Sequence, residues 1–537
     1  MKNNQDTRHS ATYIFFLLCL WLVYGVYIMY SAYFKELYIS PDSSNYLREA
    51  EAMCTGYGFN HNGRAGVPGW FSAWPAGYPG LIALSCLVFR CNSYLCSKFL
   101  TIILVGLELF ILGKRYKAKS WLYALVLSNV GIVLINRFTW SETAFMPLLL
   151  IYTLALSEIL RNPSCGAGDY AVLGLAMCGA FLVRYFGIFT VMTSILAALF
   201  LILGGGGKSE TSRGTKLLAV TIASGLFMAA YLFMNKVMGG YVTGVDRARF
   251  DDDLLKLSFN LLESIVLEVR NVLSFLAKLI HIRNRYWAVI AVPALCAAAC
   301  VIFRRLRSAF NSRVIDEAST FFIVGLCYYA AFTAIRFRSS MDPFGYRFWA
   351  PASMLILFGL VSCFFEAFHG WNGETTAERR IQFAASVIMI ALSLFMCFRM
   401  FTIGADNTAY DRIHDETVSY FDGVPAGTAV LFRDVWTDED GEKHKGEEYS
   451  YSYANFFRKD VVISRVFRDK TYTLEELRES YRDYKYIAVS KFCYEDELTR
   501  DDSDWLFSWL RSLPAMQDSA SHFIIIPVSR LIQPEPL

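Results

Sequence analysis

The chain has 537 residues, of which 55% are hydrophobic, 16% aromatic and only 18% charged. Its mean hydropathy of +0.35 excludes both an ordinary soluble composition and a disordered one. A net charge of +3 leaves no basic footprint for nucleic acid.

In chain order, the run Tyr13–Phe34 is long enough to span a bilayer. It lacks the short apolar region and small-residue cleavage site of a signal peptide, so a retained anchor is expected. Next comes Pro41–Gly80, with a helix start at Asp42 and Tyr46, Leu47, Ala50 and Met53 recurring at helical spacing. That pattern predicts an amphipathic helix at the membrane surface. Glycines at 56, 58, 63, 66 and 69 break it before the aromatic turn Trp74-Pro75-Ala76-Gly77-Tyr78-Pro79. The apolar run Tyr78–Phe89 is too short to span and reads as a second interfacial helix.

Further spans are expected near 94–113, 120–137, 143–160, 170–184, 186–203, 216–235, 286–303, 319–337, 347–367 and 381–400, about eleven in all with the first. The pair at 170–203 could instead form one long tilted helix. Between spans, Gly239–Arg285 reads as an outer segment carrying an amphipathic helix over 254–282. Past Phe401 the composition turns polar. Strand patterns at Ala429–Phe432, Val461–Val466, Tyr486–Ser490 and Phe523–Val528 alternate with helical ones at Thr473–Arg482 and Asp502–Leu513. The chain thus divides into a membrane domain, 1–400, with an outer loop at 35–92, and a small soluble α/β domain, 401–537. Most of the 13 cysteines lie inside apolar runs and read as small hydrophobes.

Basic clusters set the orientation. Lys2 and Arg8, Lys114–Lys119, Arg161, Lys208–Lys216, Arg304–Arg313 and Arg379-Arg380 all fall on one side when the N-terminus is cytoplasmic. The same alternation puts Asp42, Glu142, Arg184, Arg247, Asp342 and Arg347 on the outer face of a plasma membrane.

The loop sequence Asp42-Ser43-x-x-Tyr46-Leu47-x-x-Ala50-x-x-Met53-x-x-Gly56-x-Gly58-Phe59, followed by Trp74-Pro75-x-Gly77-Tyr78-Pro79, resembles a known pattern. It is similar to the first outer loop of the C-type membrane glycosyltransferases, which include the protein O-mannosyltransferases and the lipid A aminoarabinose transferase. The shared motifs cover about forty residues here and a few short sites later. The resemblance implies the C-type glycosyltransferase fold and transfer of a sugar from a polyprenyl-phosphate donor to a hydroxyl of a glycan, lipid or protein acceptor, with inversion. It also implies Asp42 as the essential acid and no cofactor beyond the lipid-linked co-substrate. One departure is that Ser43 stands where the mannosyltransferases have the Glu of an Asp-Glu pair. The acceptor and any metal requirement stay open on that account.

Such a transfer needs a base for the acceptor proton and cations for the leaving phosphate. Asp42 is the candidate base; a plain helix cap is the alternative. Glu142, in Thr139-Trp140-Ser141-Glu142, sits at the outer end of an apolar helix, where a carboxylate is expensive unless solvated or paired. It could bind the sugar or hold Arg137 or Arg184. Arg184 falls inside an apolar segment, which points to a cavity or a partner. Asp342…Arg347-Phe348-Trp349-Ala350-Pro351 matches the family's Asp-x-x-x-x-Arg-[Tyr/Phe]-x-x-Pro element. Arg347 and Arg338 suit a phosphate because a guanidinium presents a planar fork of donors. Arg247 could reach the same phosphate, although Asp251-Asp252-Asp253 offers a nearer counter-charge. Tyr46, Trp74, Tyr78, Tyr185 and Asp342 are candidates for sugar or acceptor contact. The scattered histidines show no ligand spacing, and no metal is expected. A transporter or flippase of lipid-linked sugar is the alternative; it calls for midplane polar residues and internal repeats, and neither is visible.

Overall fold

The structure, a computed structural model, describes residues 2–33, 39–56, 58–62, 68–70, 72–204, 207–243, 254–272, 287–338, 344–367, 424–433, 436–437, 443–444, 461–466, 484–490 and 523–529. Arg247, Asp342, the span expected at 381–400 and the helices expected at 473–482 and 502–513 lie outside the described residues.

The helices are α1 (Lys2–Tyr33), α2 (Pro41–Cys54), α3 (Gly77–Phe89), α4 (Ser93–Tyr116), α5 (Ser120–Leu127), α6 (Val130–Arg137) and α7 (Glu142–Arg161). They continue as α8 (Ala167–Val183), α9 (Phe189–Leu203), α10 (Gly207–Gly239), α11 (Leu254–Val272), α12 (Trp287–Ser312), α13 (Glu317–Arg336) and α14 (Tyr346–Ala367). Strands are β1 (Asn60–Asn62), β2 (Pro68–Trp70), β3 (Thr428–Arg433), β4 (Trp436–Thr437), β5 (Lys443–His444), β6 (Val461–Val466), β7 (Tyr486–Ser490) and β8 (Phe523–Pro527). Among the described residues, 8 helical stretches are long and apolar enough to cross a membrane. The count is below the expectation for stated reasons. The span expected at 120–137 is broken at Ser128-Asn129, where the Asn129 side chain caps α6 by accepting from the Gly131 amide at 2.8 Å. The one at 170–184 is a helix of 17 residues, just under spanning length. α3 is short, as its sequence indicated.

Two compact units emerge. The first comprises Met1–Tyr30, Ser72–Ser85 and Cys96–Ile403. Here Leu17 lies beside Gly113, Trp21 beside Gly106 and Gly25 beside Ile102, so α1 and α4 run antiparallel. The Trp21 indole N–H donates to the Ile102 carbonyl at 2.8 Å. At the end carrying the expected cytoplasmic clusters, Arg115 of α4 joins Glu317 of α13 at 2.5 Å and Glu158 of α7 at 3.5 Å. Arg305 of α12 likewise joins Asp316 and Glu366. These pairs are partly exposed and tie helix ends together rather than supplying much stability.

α11 packs against α6, α12 and α14. Its Glu268 is buried, with one oxygen lacking any hydrogen-bond partner and the other 3.5 Å from the Asn271 amide. Burial pushes this carboxyl up to about 7, against the pull of the Ser353 hydroxyl and the Asn271 amide. A carboxyl whose pKa is raised by folding takes up protons on folding, so the protein loses stability as pH rises through the interval from about 4.3 to about 7. Thermal melts should therefore fall across that interval by the equivalent of roughly 3 kcal/mol. Glu268→Gln should flatten that slope; an unchanged slope would remove Glu268 as its source.

The second unit comprises Ser31–Phe71, Cys86–Leu95 and Gly404–Leu537. Its α2 is capped by Ser40, whose hydroxyl accepts from the Ser43 amide at 3.2 Å, with Pro41 in the first helical position. Ala32, Ile39, Leu47 and Tyr94 form its buried cluster, and the Ser93 hydroxyl donates to Glu51 at 3.0 Å. The four strands expected near the C-terminus are present and form one sheet, ordered β6-β3-β7-β8. β3 runs parallel to β6 and β7, and β8 antiparallel to β7. Side-by-side parallel strands require long crossovers, which the segments 434–460 and 467–483 are long enough to supply.

Candidate functional site

The first unit brings three of the predicted site residues together, two from the first turns of helices and one from a break between helices. Glu142 opens α7 and is 1% exposed. A helix N-terminus favours a carboxylate, yet burial at this depth demands a fuller partner set. Arg184 supplies one ion pair. Arg347, in the first turn of α14, supplies the other, its Nε donating at 2.5 Å and an Nη at 3.4 Å. Both guanidiniums thus share one carboxylate.

Local sequence explains how Arg184 arrives there. α8 stops at Val183, Arg184 is extended (φ −148°, ψ 128°), and Tyr185–Ile188 makes one tight turn before α9. The 170–203 stretch is therefore two helices with the arginine at the break. Gly187 makes the break possible: a Cβ there would lie 2.4 Å from Ala180 and Phe181 backbone atoms. Gly77 does the same from the other side, since its Cβ would meet the Leu182 carbonyl at 2.5 Å. The aromatic turn is thereby seated on the last turn of α8. Tyr185 completes the joint, donating to the Ser72 carbonyl and accepting from the Asn235 amide, each at 2.8 Å.

Aromatic rings frame the cations. Arg347 lies 4.4 Å from the Trp140 ring centroid and 5.6 Å from that of Phe348. Arg184 faces Phe348 as well, at 5.8 Å, and donates to the Ser141 hydroxyl at 3.3 Å. Cation–π contact in a desolvated site is worth about 2 kcal/mol. Planar guanidiniums held side by side are matched to the tetrahedral oxygens of a phosphate.

The other candidates are placed as follows. Arg338 is exposed just past the end of α13, whereas Arg336, two residues back, is buried 5.9 Å from the Phe344 ring. Trp74 is half-buried, while Tyr78 is fully buried and presents no face to solvent. Asp42 and Tyr46 belong to the second unit; Asp42 is half-buried in the first turn of α2, with Ser40 and not Asp42 as the cap, and Tyr46 is buried. Sequence reasoning passed over Lys98, which is 1% exposed near the start of α4. A lysine inside an apolar run was the signal, the same one that singled out Arg184. It also passed over Glu49 in α2, buried with neither oxygen hydrogen-bonded, whose carboxyl burial pushes well above the usual range.

No family profile and no curated protein matches the chain. Among solved structures, ArnT from Cupriavidus metallidurans bound to undecaprenyl phosphate aligns over 98% of this chain and 99% of its own, with a TM-score of 0.54 and 10% identity. The apo structure of the same protein aligns over 99% and 100%, at 0.53 and 11%. Archaeal oligosaccharyltransferase AglB from Archaeoglobus fulgidus, in complex with an inhibitory peptide and a dolichol-phosphate, aligns over 90% and 70%, at 0.46 and 12%. At such identity the ArnT match establishes a shared fold, and over nearly the full length of both chains.

Proposed function

We propose that the protein is a membrane glycosyltransferase that moves a monosaccharide from a polyprenyl-phosphate donor to an acceptor hydroxyl at the outer face of the plasma membrane. The observation that carries this reading is the Arg184–Glu142–Arg347 cluster: two guanidiniums gathered on one buried carboxylate. Paired cations of this kind are costly to bury and suit an anionic leaving group. The ArnT fold supports the same reading, because one of its structures holds undecaprenyl phosphate.

In the proposed step the acceptor oxygen attacks the anomeric carbon, the bond from that carbon to the phosphate oxygen breaks, and configuration inverts. The acceptor proton passes to Asp42, and polyprenyl phosphate departs with its negative charge held by Arg184 and Arg347. Asp42 is assigned on its loop motif; it lies in the first turn of α2, whose N-cap is Ser40. Trp74 is the aromatic of the outer turn best placed to meet a sugar, being half-buried. The N-terminus is cytoplasmic in this reading and the C-terminal domain extracytoplasmic, following the basic clusters.

The test is release of polyprenyl phosphate from a labelled lipid-linked sugar by purified protein. Asp42→Asn should lower kcat by at least about 100-fold while the donor KM changes little. Turnover near wild type would remove Asp42 from the mechanism.

A further inference from the structure

We propose that Lys98 is a positioning residue for the arginine pair: its ammonium grips the connection between α6 and α7 that carries Trp140, Ser141 and Glu142. This rests on the phosphate-binding reading of that pair. An ammonium in a membrane-spanning helix is expensive, and a methionine or leucine would pack at this position without that cost. Its contacts say what it does there. Nζ donates to the Arg137 carbonyl at 2.6 Å and reaches the Thr139 hydroxyl at 3.4 Å. The neighbouring Ser97 hydroxyl bonds that same Thr139 hydroxyl at 2.8 Å. All three side chains, Ser97, Lys98 and Thr139, are essentially inaccessible.

The gripped carbonyl ends α6, where the last helical carbonyls have no partner within the helix and a cation is favoured. From there Phe138 turns extended and its ring stacks on Trp140, with centroids 4.2 Å apart. The opposite side of this short connection meets both cations: Trp140 lies against Arg347, and Ser141 accepts from Arg184. Glu142 follows at once as the first residue of α7. One lysine thus sets the residue stretch that backs both guanidiniums and launches their shared carboxylate. Displacing a positioning element by an ångström is enough to cost about 100-fold in rate.

The experiment uses the full-length protein in detergent, with undecaprenyl phosphate as the binding probe and labelled donor for turnover. Lys98→Met should weaken undecaprenyl phosphate binding roughly 10- to 100-fold, the effect of losing a charged hydrogen bond. The donor KM should rise in step, and Lys98→Arg should recover binding to within about 3-fold of wild type. A merely structural lysine would lower the active fraction, and so kcat, with Kd and KM intact; that result overturns the proposal. Should Lys98→Met fail to fold, Thr139→Val, which removes the shared hydroxyl, takes its place, and wild-type affinity in that variant overturns the proposal equally. Arg347→Ala is the reference. If it loses undecaprenyl phosphate while Lys98→Met does not, only the role of Lys98 fails; if it binds as wild type does, the phosphate-binding reading itself fails.

Discussion

Glu142→Ala is expected to abolish measurable sugar transfer and to destabilise the protein by about 3–5 kcal/mol, the range for removing one partner of a buried ion pair. Both guanidiniums converge on this carboxylate, and alanine leaves two like charges facing each other with their common neutraliser gone. Glu142→Gln keeps the shape and one acceptor, so its stability loss should be smaller, while turnover still falls because the arginines repel. The decisive comparison is the triple variant Glu142→Leu, Arg184→Leu, Arg347→Leu. Buried charge clusters can often be replaced together by apolar residues at little or no cost. That variant should melt close to wild type and yet release no polyprenyl phosphate. Recovery of activity in the triple variant would show that the cluster is structural.

Gly187→Ala should be nearly as damaging, and for a reason of geometry alone. Its Cβ would stand 2.4 Å from the Ala180 carbonyl carbon and the Phe181 nitrogen. Backbone atoms inside α8 cannot step aside, so the turn Tyr185–Ile188 must lift away, carrying Arg184 and the Tyr185 hydroxyl with it. A loss of about 3 kcal/mol is expected from such overpacking, with turnover down roughly 100-fold from misplaced Arg184. Gly168→Ala is the control. It sits in the first turn of α8 with nothing within 4 Å of its Cβ, and alanine is the better helix former. Its melting temperature should hold or rise slightly. Equal damage from both substitutions would show that close approach at Gly187 is not what matters.

Much of this was legible in the residues because helix and strand periods are local. Apolar runs located the spanning helices, and short apolar runs in a polar region located the four strands of the C-terminal sheet. Arg184 stood out because charge inside an apolar run is rare. By the same rule Lys98 was equally visible, and was overlooked for lying near a helix start. The break at Arg184 was harder to read, since the apolar pattern runs on through it. Only the contact between Gly187 and the α8 backbone shows why one continuous helix is impossible there.

From composition and periodicity alone, this chain was committed to a helical membrane bundle with an aromatic loop and a C-terminal sheet in a polar region. Local sequence determines which backbone hydrogen bonds can form and which face of each element is apolar. Which cation takes Glu142 was another matter, and there the sequence left sugar binding, Arg137 and Arg184 all open. Arg347, 205 positions away along the chain, joins Arg184 on that carboxylate because α8 and α14 both pack against α7. Helix register and crossing are set by side-chain packing across the whole bundle, so the pairing of these residues cannot be read from any short window, although each residue could be.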